Sequence, residues 1–359
     1  MRVLLIGAGR YGNDLIGRKY MSGELGVKLA GIVDPKIDEI KNAANFCMHN
    51  IPTYHSIYDV PSKLVRECIN ELAIVPEIIP QVYGVLGDKG AKKVILPKPV
   101  ATSYKDYREI MDITEKNNIQ ALVSSNWHYS AITDYTKNLL DKLTNKVSNR
   151  SVNDKNFHNK LSELDSNFYI DKVSVEYNKK DEVLTIDPPI QELPHALQIV
   201  YSTGLTDLKK IKLIMQKFMQ SKSRVNVSLK NVNGINDGIS LNSDLQMGDK
   251  LKDRRERSLN IFLHNDDGVK ARIFADYDAR FENGICKKPP SLSYECTYGD
   301  KKEHWEQIIN EDNMNVMYEA ILGAFKGYEG EGLTLKLYKP IVEVLSKVQE
   351  TWENIVRRG

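Results

Sequence analysis

The sequence predicts an α/β chain in two parts: an amino-terminal doubly wound parallel sheet of the Rossmann type over residues 1–124, then an open-faced, mostly antiparallel sheet domain over residues 125–359. Three observations predict it. A glycine-rich turn, Gly7-Ala8-Gly9-Arg10-Tyr11-Gly12, follows directly on a short apolar strand. Strand and helix patterns then alternate as far as Ser124. Beyond it, short segments alternate polar and apolar positions, the period of half-buried strands.

Arg2 to Ile6 is apolar after one charge, as in a strand buried on both faces of a parallel sheet. Gly7 permits the tight turn, and Gly9 lets the backbone approach a pyrophosphate with no Cβ in the way. Gly12 lets the next helix, about Tyr11 to Met21, pack on the strand. The free N–H groups at that helix start would face the phosphates. A second strand, Val27 to Val33, ends in Asp34, about 20 residues past the glycines. A carboxylate there accepts hydrogen bonds from both ribose hydroxyls and repels a 2′-phosphate, which favours NAD over NADP. The same position suits a cap on the helix starting near Ile37, and both roles stay open.

The alternation continues with a helix from Lys36 to Cys47, a short segment at Thr53-Tyr54 followed by Ser56 to Val60, and a helix at Ser62 to Arg66. Next come a strand from Cys68 to Val75 ending at Pro76, and a helix from Ile79 to Lys89. The strand Lys93 to Leu96 is closed by Pro97-Lys98-Pro99, and a helix from Ser103 to Asn117 leads to the strand Gln120 to Ser124. Ligands of such a sheet lie beyond the carboxyl ends of its strands, where Gly9, Asp34, Pro76, Lys98 and Asn126 fall. The later strands read as Asp171 to Tyr177, Ile211 to Gln216, Val225 to Lys230, Ile239 to Leu245, Ser258 to Leu263, Val269 to Tyr277 and Ser291 to Tyr298. Helices at Asn313 to Phe325 and Leu335 to Val356 close the chain. Thr144 to Ser166, rich in Asn, Ser, Lys and Asp, reads as an insertion or mobile loop over the site.

Composition narrows the function classes. At 359 residues, 41% hydrophobic and 27% charged, the chain is long enough for two packed domains. Its 50 basic and 48 acidic residues alternate, so nucleic acid and membrane surfaces are poor partners. No apolar run approaches the ~18 residues of a membrane span, and Val3 to Ile6 is too short for a signal peptide, so a cytoplasmic location is expected. Cys47, Cys68, Cys286 and Cys296 stand singly, as reduced thiols rather than zinc ligands or disulfide pairs. His49, His55, His158, His264 and His304 have no metal-ligand spacing.

The order of GxGxxG, a strand ending in Asp34, a strand ending in Pro76 and a strand ending in Lys98-Pro99 resembles the Gfo/Idh/MocA family of oxidoreductases, over essentially the full length. The resemblance implies a second sheet that covers the nicotinamide and an Asp-x-x-x-His pair on that domain's first helix. Here Pro97 stands where the family has Glu, and Gln191-Glu192-Leu193-Pro194-His195 replaces the Asp-x-x-x-His pattern. By this resemblance Lys98 and His195 are the catalytic residues: Lys98 holds the reacting hydroxyl and lowers its pKa as a fixed cation, and His195 takes or returns the proton. Gln191 then orients substrate or His195 as a neutral partner, and unless Glu192 moves into the carboxylate's place the imidazole is a weaker base. Asn126, Trp127 and His128 follow the last Rossmann strand and join Gln191 and His195 as substrate contacts. Gly7, Gly9, Arg10, Tyr11, Gly12, Asp34, Pro76 and Lys98 form the cofactor set. The substrate implied is a sugar, cyclitol or amino-sugar derivative, with a homodimer or homotetramer formed through the open sheet. Two rivals use the same fold: reduction of C=N bonds, and an NAD-binding sensor without catalysis.

Overall fold

The computed structural model describes residues 1–359 except 16–19, 21, 22, 24, 44–50, 149, 151, 181–187, 206–211, 215–223, 231–238, 247–255, 278, 279, 283, 284, 311, 312, 329–331 and 357–359. It divides into two compact units, Met1–Ser125 with Met317–Ser346, and Asn126–Val316 with Lys347–Gly359.

In the first unit β1 (Arg2–Ile6), α1 (Arg10–Leu15), β2 (Lys28–Val33), α2 (Ile37–Ala43), β3 (Thr53–Tyr54), α3 (Ser62–Glu67), β4 (Ile69–Leu72), α4 (Ile79–Asp88), β5 (Lys93–Leu96), α5 (Tyr104–Asn117) and β6 (Gln120–Val123) alternate as expected. The sheet is parallel, in the order β3-β2-β1-β4-β5-β6. That is a doubly wound arrangement, whose topological switch lies between β1 and β4. Leu4, Leu5, Ile32, Val94 and Leu96 are fully buried, as a sheet covered on both faces requires. The expected strand from Cys68 to Val75 forms a ladder only over Ile69–Leu72. Ala73 still donates to Ile6 O at 2.7 Å, and Pro76 opens a short 3-10 turn.

The second unit begins with α6 (Ala131–Leu143), α7 (Lys155–Ser162), β7 (Tyr169–Lys180), α8 (Pro188–Ser202), β8 (Lys212–Ile214), β9 (Arg224–Lys230) and β10 (Ile239–Gln246). It continues with β11 (Glu256–His264), β12 (Lys270–Asp276), β13 (Arg280–Glu282), β14 (Ile285–Lys288), β15 (Ser291–Tyr298) and β16 (Lys301–Ile308). Its main sheet runs β16-β15-β12-β11-β7-β10-β9-β8, antiparallel except where β10 pairs with β7. Val173, Val175, Leu259, Ile261, Leu263 and Ile273 are buried on one face, beneath α6 and α8. The other face carries Ser174, Asn260, Arg272 and Glu295 around Phe262 and Phe274. Arg272 donates to Asn260 Oδ1 and lies over both rings.

Several elements differ from expectation. Residues 155–162 within the expected loop form α7. Asp154 caps it by accepting from Phe157 N at 3.0 Å, and Phe157 and Leu161, one turn apart, are buried. β16 was not expected, because its first four residues, Lys301 to His304, are all polar or charged and exposed, so no alternation marks its start. Finally α9 (Asn313–Lys326) and α10 (Leu335–Val356) do not simply close the second domain. Residues 317–346 belong to the first unit, where Lys93 Nζ donates to Phe325 O, Tyr107 Oη to Leu335 O, and Val123 N to Leu333 O. A single cut near residue 124 therefore misses this return. The helical period that identifies these segments carries no information about which sheet they cover.

Candidate functional site

In the first unit the glycine turn is built by close approach. Gly7 has φ +97°, and a Cβ there would come within 2.8 Å of Ala73 C and Ile74 Cγ2, so both backbone and space require glycine. A Cβ on Gly12 would overlap the Gly7 carbonyl and so push α1 off β1. Gly9 differs: its Cβ would meet nothing within 4 Å. The fold thus constrains Gly7 and Gly12, while Gly9 keeps an open space above the backbone, the space a pyrophosphate needs.

Asp34 ends β2 beside this turn. Its Oδ2 accepts from Ala8 N at 2.7 Å and its Oδ1 from Lys36 N at 2.8 Å. Asp34 thus closes a turn ahead of α2 rather than capping the helix's first turn, and the same carboxylate also ties the glycine turn to β2. Each oxygen keeps a second acceptor site, so ribose hydroxyls can still be bound. Pro76 is buried, Tyr11 is 40% exposed, and Lys98 is half-buried between the buried Pro97 and Pro99 at the end of β5. The side chain of Arg10 lies outside the described residues.

Beneath the turn lies a feature that sequence reasoning missed. Glu71 is 1% exposed in β4, between Leu5 of β1 and Ile95 of β5. Its two oxygens accept hydrogen bonds from Tyr20 and Tyr318. Burial pushes its pKa up to about 8, opposed by the bond from Tyr318. Tyr318 is also hydrogen-bonded to Tyr11, and its own pKa is raised far above the usual range by burial and by the Glu71 charge.

In the second unit His195 lies well inside α8 rather than at a helix start. The helix begins at Pro188, where proline in the first turn costs no hydrogen bond. The Trp127 ring meets that of His195 edge-on at 6.3 Å and that of Tyr277 at 5.2 Å, with Arg257 over its face at 5.8 Å. Trp127 is 3% exposed, so its ring forms a buried wall beside that of His195. Tyr277 is fully buried, with its phenol 3.4 Å from Thr133 Oγ1, and burial raises its pKa.

Next to Trp127, His128 is buried in a network. Gln198 Nε2 donates to Ser202 Oγ at 2.7 Å, and Ser202 Oγ lies 2.9 Å from His128 Nδ1. Arg150 donates to His128 O at 2.8 Å, approaches Nδ1 at 3.4 Å and pairs with Asp134 at 2.5 Å. Nδ1 is thus the acceptor, and the ring proton of neutral His128 resides on Nε2. Burial raises the Asp134 carboxyl although Arg150 opposes it. Asn126 is half-buried in the turn before Trp127, and the side chain of Gln191 lies outside the described residues. Among the expected second-unit residues, the structure brings Trp127 and His195 together. Tyr277, Arg257 and Arg150 were missed, since each joins them only through the fold. Among the described residues no group of three or more His, Cys, Asp or Glu could hold a metal ion, and no helix is long and apolar enough to cross a membrane.

No family model and no curated protein matches the sequence. Solved structures do match the fold over nearly the whole chain. UDP-N-acetylglucosamine 3-dehydrogenase GnnA from Acidithiobacillus ferrooxidans is 13% identical, with a TM-score of 0.62, over 97% of this chain and 96% of that one. The WlbA dehydrogenase from Bordetella pertussis, in complex with NADH and UDP-GlcNAcA, is 12% identical, with a TM-score of 0.65, over 99% and 97%. Aldose-aldose oxidoreductase from Caulobacter crescentus, complexed with glycerol, is 9% identical, with a TM-score of 0.68, over 98% and 96%. These neighbours are Gfo/Idh/MocA-type oxidoreductases, and at such identities the likeness establishes a shared fold.

Proposed function

We propose that this chain is an oxidoreductase. It binds a nicotinamide dinucleotide, NAD in preference to NADP, at the Gly7–Gly12 turn and transfers hydride to or from a secondary alcohol or ketone of a sugar, cyclitol or amino-sugar derivative. The observation that carries this reading is the open space at Gly9, between two glycines that the fold itself requires. Gly7, Gly9, Arg10, Tyr11, Gly12, Asp34, Pro76 and Lys98 hold the cofactor, with the Asp34 carboxylate selecting against a 2′-phosphate by repulsion. Bound there, the nicotinamide supplies the hydride acceptor or donor.

Lys98, held between two buried prolines, fixes the reacting oxygen as a localised cation. His195 removes or returns the hydroxyl proton, its ring lying beside that of Trp127. Asn126, His128 and Gln191 contact substrate, His128 through its Nε2 donor. With the neutral Gln191 where the family has a carboxylate, His195 acts as a comparatively weak base. A cytoplasmic location agrees with the free thiols of Cys68 and Cys296. We assign the open sheet face, with Phe262 38% exposed, to a homodimer or homotetramer. Sedimentation tests this.

Calorimetric titration of wild type with NADH and NADPH, followed by a turnover screen of sugars, cyclitols and imines, tests the reading. NADH is expected to bind more tightly than NADPH, and turnover to fall by a factor of about 100 or more in Lys98→Ala and His195→Ala. Binding without turnover of any polyol would make the chain a sensor. Consumption of NADH only with a carbonyl and an amine together would make it an imine reductase. Failure to bind either nucleotide would sink the cofactor assignment.

A further inference from the structure

A carboxyl group in the middle of a doubly covered parallel strand is out of keeping with its surroundings. Leu5 and Ile95 flank Glu71 on the neighbouring strands, and the groups that face it are the phenols of Tyr20 and Tyr318. Among the described residues no charged side chain contributes to its titration; burial and Tyr318 dominate. Tyr318 in turn reaches Tyr11, which lies inside the glycine turn and is open to solvent. A hydrogen-bonded line therefore runs from a buried acid to the residue between Gly9 and Gly12.

Each hydroxyl in this line has one proton, and an ionised Glu71 fixes the direction of all of them, since Tyr20 and Tyr318 must both donate to it. When Glu71 is ionised, Tyr318 donates to it, and Tyr11 must donate to the Tyr318 oxygen. The Tyr11 proton then points into the protein, and a negative charge lies buried beneath the turn. When Glu71 is protonated on Oε1, the oxygen that faces Tyr318, this proton goes to the Tyr318 oxygen while Tyr20 still donates to Oε2, Tyr318 donates to Tyr11, and the Tyr11 proton turns outward. The second state presents a donor and no buried charge to an anion at the turn.

We propose that Glu71, acting through Tyr318, is a positioning residue for the dinucleotide: binding of the doubly charged pyrophosphate favours the protonated Glu71 carboxyl, draws a fraction of a proton from solvent where that carboxyl titrates, and turns the Tyr11 hydroxyl toward the phosphates. This deepens the cofactor reading given above and rests on it. The coupling is reciprocal, so raising the pH through the Glu71 titration weakens nucleotide binding by the factor by which binding favours protonation. Asp34, the other carboxylate at the turn, engages two backbone N–H groups and takes no part in the line.

The test is calorimetric titration of the full chain with NADH between about pH 6.5 and 9.5, in buffers of different ionisation heat so that proton uptake is counted. Wild type should lose affinity by roughly fivefold or more across this range and take up a fraction of a proton near its middle. Glu71→Gln should show neither effect, and Tyr318→Phe, which keeps the carboxyl but cuts the line, should lose most of the pH dependence. Should Glu71→Gln fail to fold, wild type and Tyr318→Phe decide the matter. Binding with a flat profile and no proton uptake in wild type overturns this proposal alone, as does an unchanged slope in both variants. Absence of NADH binding at every pH overturns the cofactor reading and this proposal with it.

Discussion

Glu71 also makes a sharp prediction about stability, independent of any ligand. Its folded pKa of about 8 stands above the 4.5 of an ordinary glutamate because burial disfavours the charged form. The folded protein therefore holds this proton more tightly than the unfolded chain does. The corresponding stability is fully present below about pH 4.5, is lost as the pH rises towards 8, and changes no further above that. At about 1.4 kcal/mol per unit, the shift sets a ceiling of roughly 5 kcal/mol. The amide introduced by Glu71→Gln does not titrate, and it can still accept from one phenol and donate to the other. The variant should match wild type within about 1 kcal/mol near pH 5 and exceed it by about 2–5 kcal/mol near pH 9. Urea unfolding followed by intrinsic fluorescence at both pH values measures this. An equal difference between variant and wild type at pH 5 and pH 9 would refute the reasoning, since Glu71 would then not be a buried acid that titrates on unfolding.

The glycines separate structural from functional demand: Gly9→Ala adds a methyl to open space and should leave stability within about 0.5 kcal/mol, yet abolish NADH binding in calorimetry. Gly12→Ala meets the Gly7 carbonyl and should cost about 1–3 kcal/mol before any ligand is added, read as a lower melting temperature. Arg150→Met leaves Asp134 without its partner and releases His128, so about 1–3 kcal/mol of stability should be lost, visible as a fall in melting temperature.

The Rossmann half was legible because its signals are local. A glycine spacing, an apolar run and a terminal Asp each imply a geometry within a few residues, and every expected strand of that sheet is found, that from Cys68 to Val75 shortened to Ile69–Leu72. The second sheet was legible as strands but not as a topology. The parallel pairing of β10 with β7 cannot be read from alternation, which is the same for either direction. α7 was open to a closer reading, since Asp154 followed by Phe157 and Leu161 is a cap and an apolar stripe, but the polar composition around it outweighed that signal.

The site was legible in proportion to how much of it the backbone dictates. Gly7 and Gly12 declare themselves because no other residue fits, whereas Arg150, Tyr277 and Tyr318 act through partners far away in sequence and have no spacing of their own. Glu71 shows the limit from the other side. Asn-Glu in the strand Ile69–Leu72 departs from the apolar run of a buried parallel strand, and the departure itself was visible. Its resolution was not, because the phenols that make a buried acid tolerable come from residue 20 and from a helix some 250 residues downstream, after the chain has left this unit and returned. A polar residue where a strand should be apolar therefore counts as a question put to the rest of the fold. Here the answer leads through Tyr318 to the glycine turn, the part of the molecule that sequence identified first.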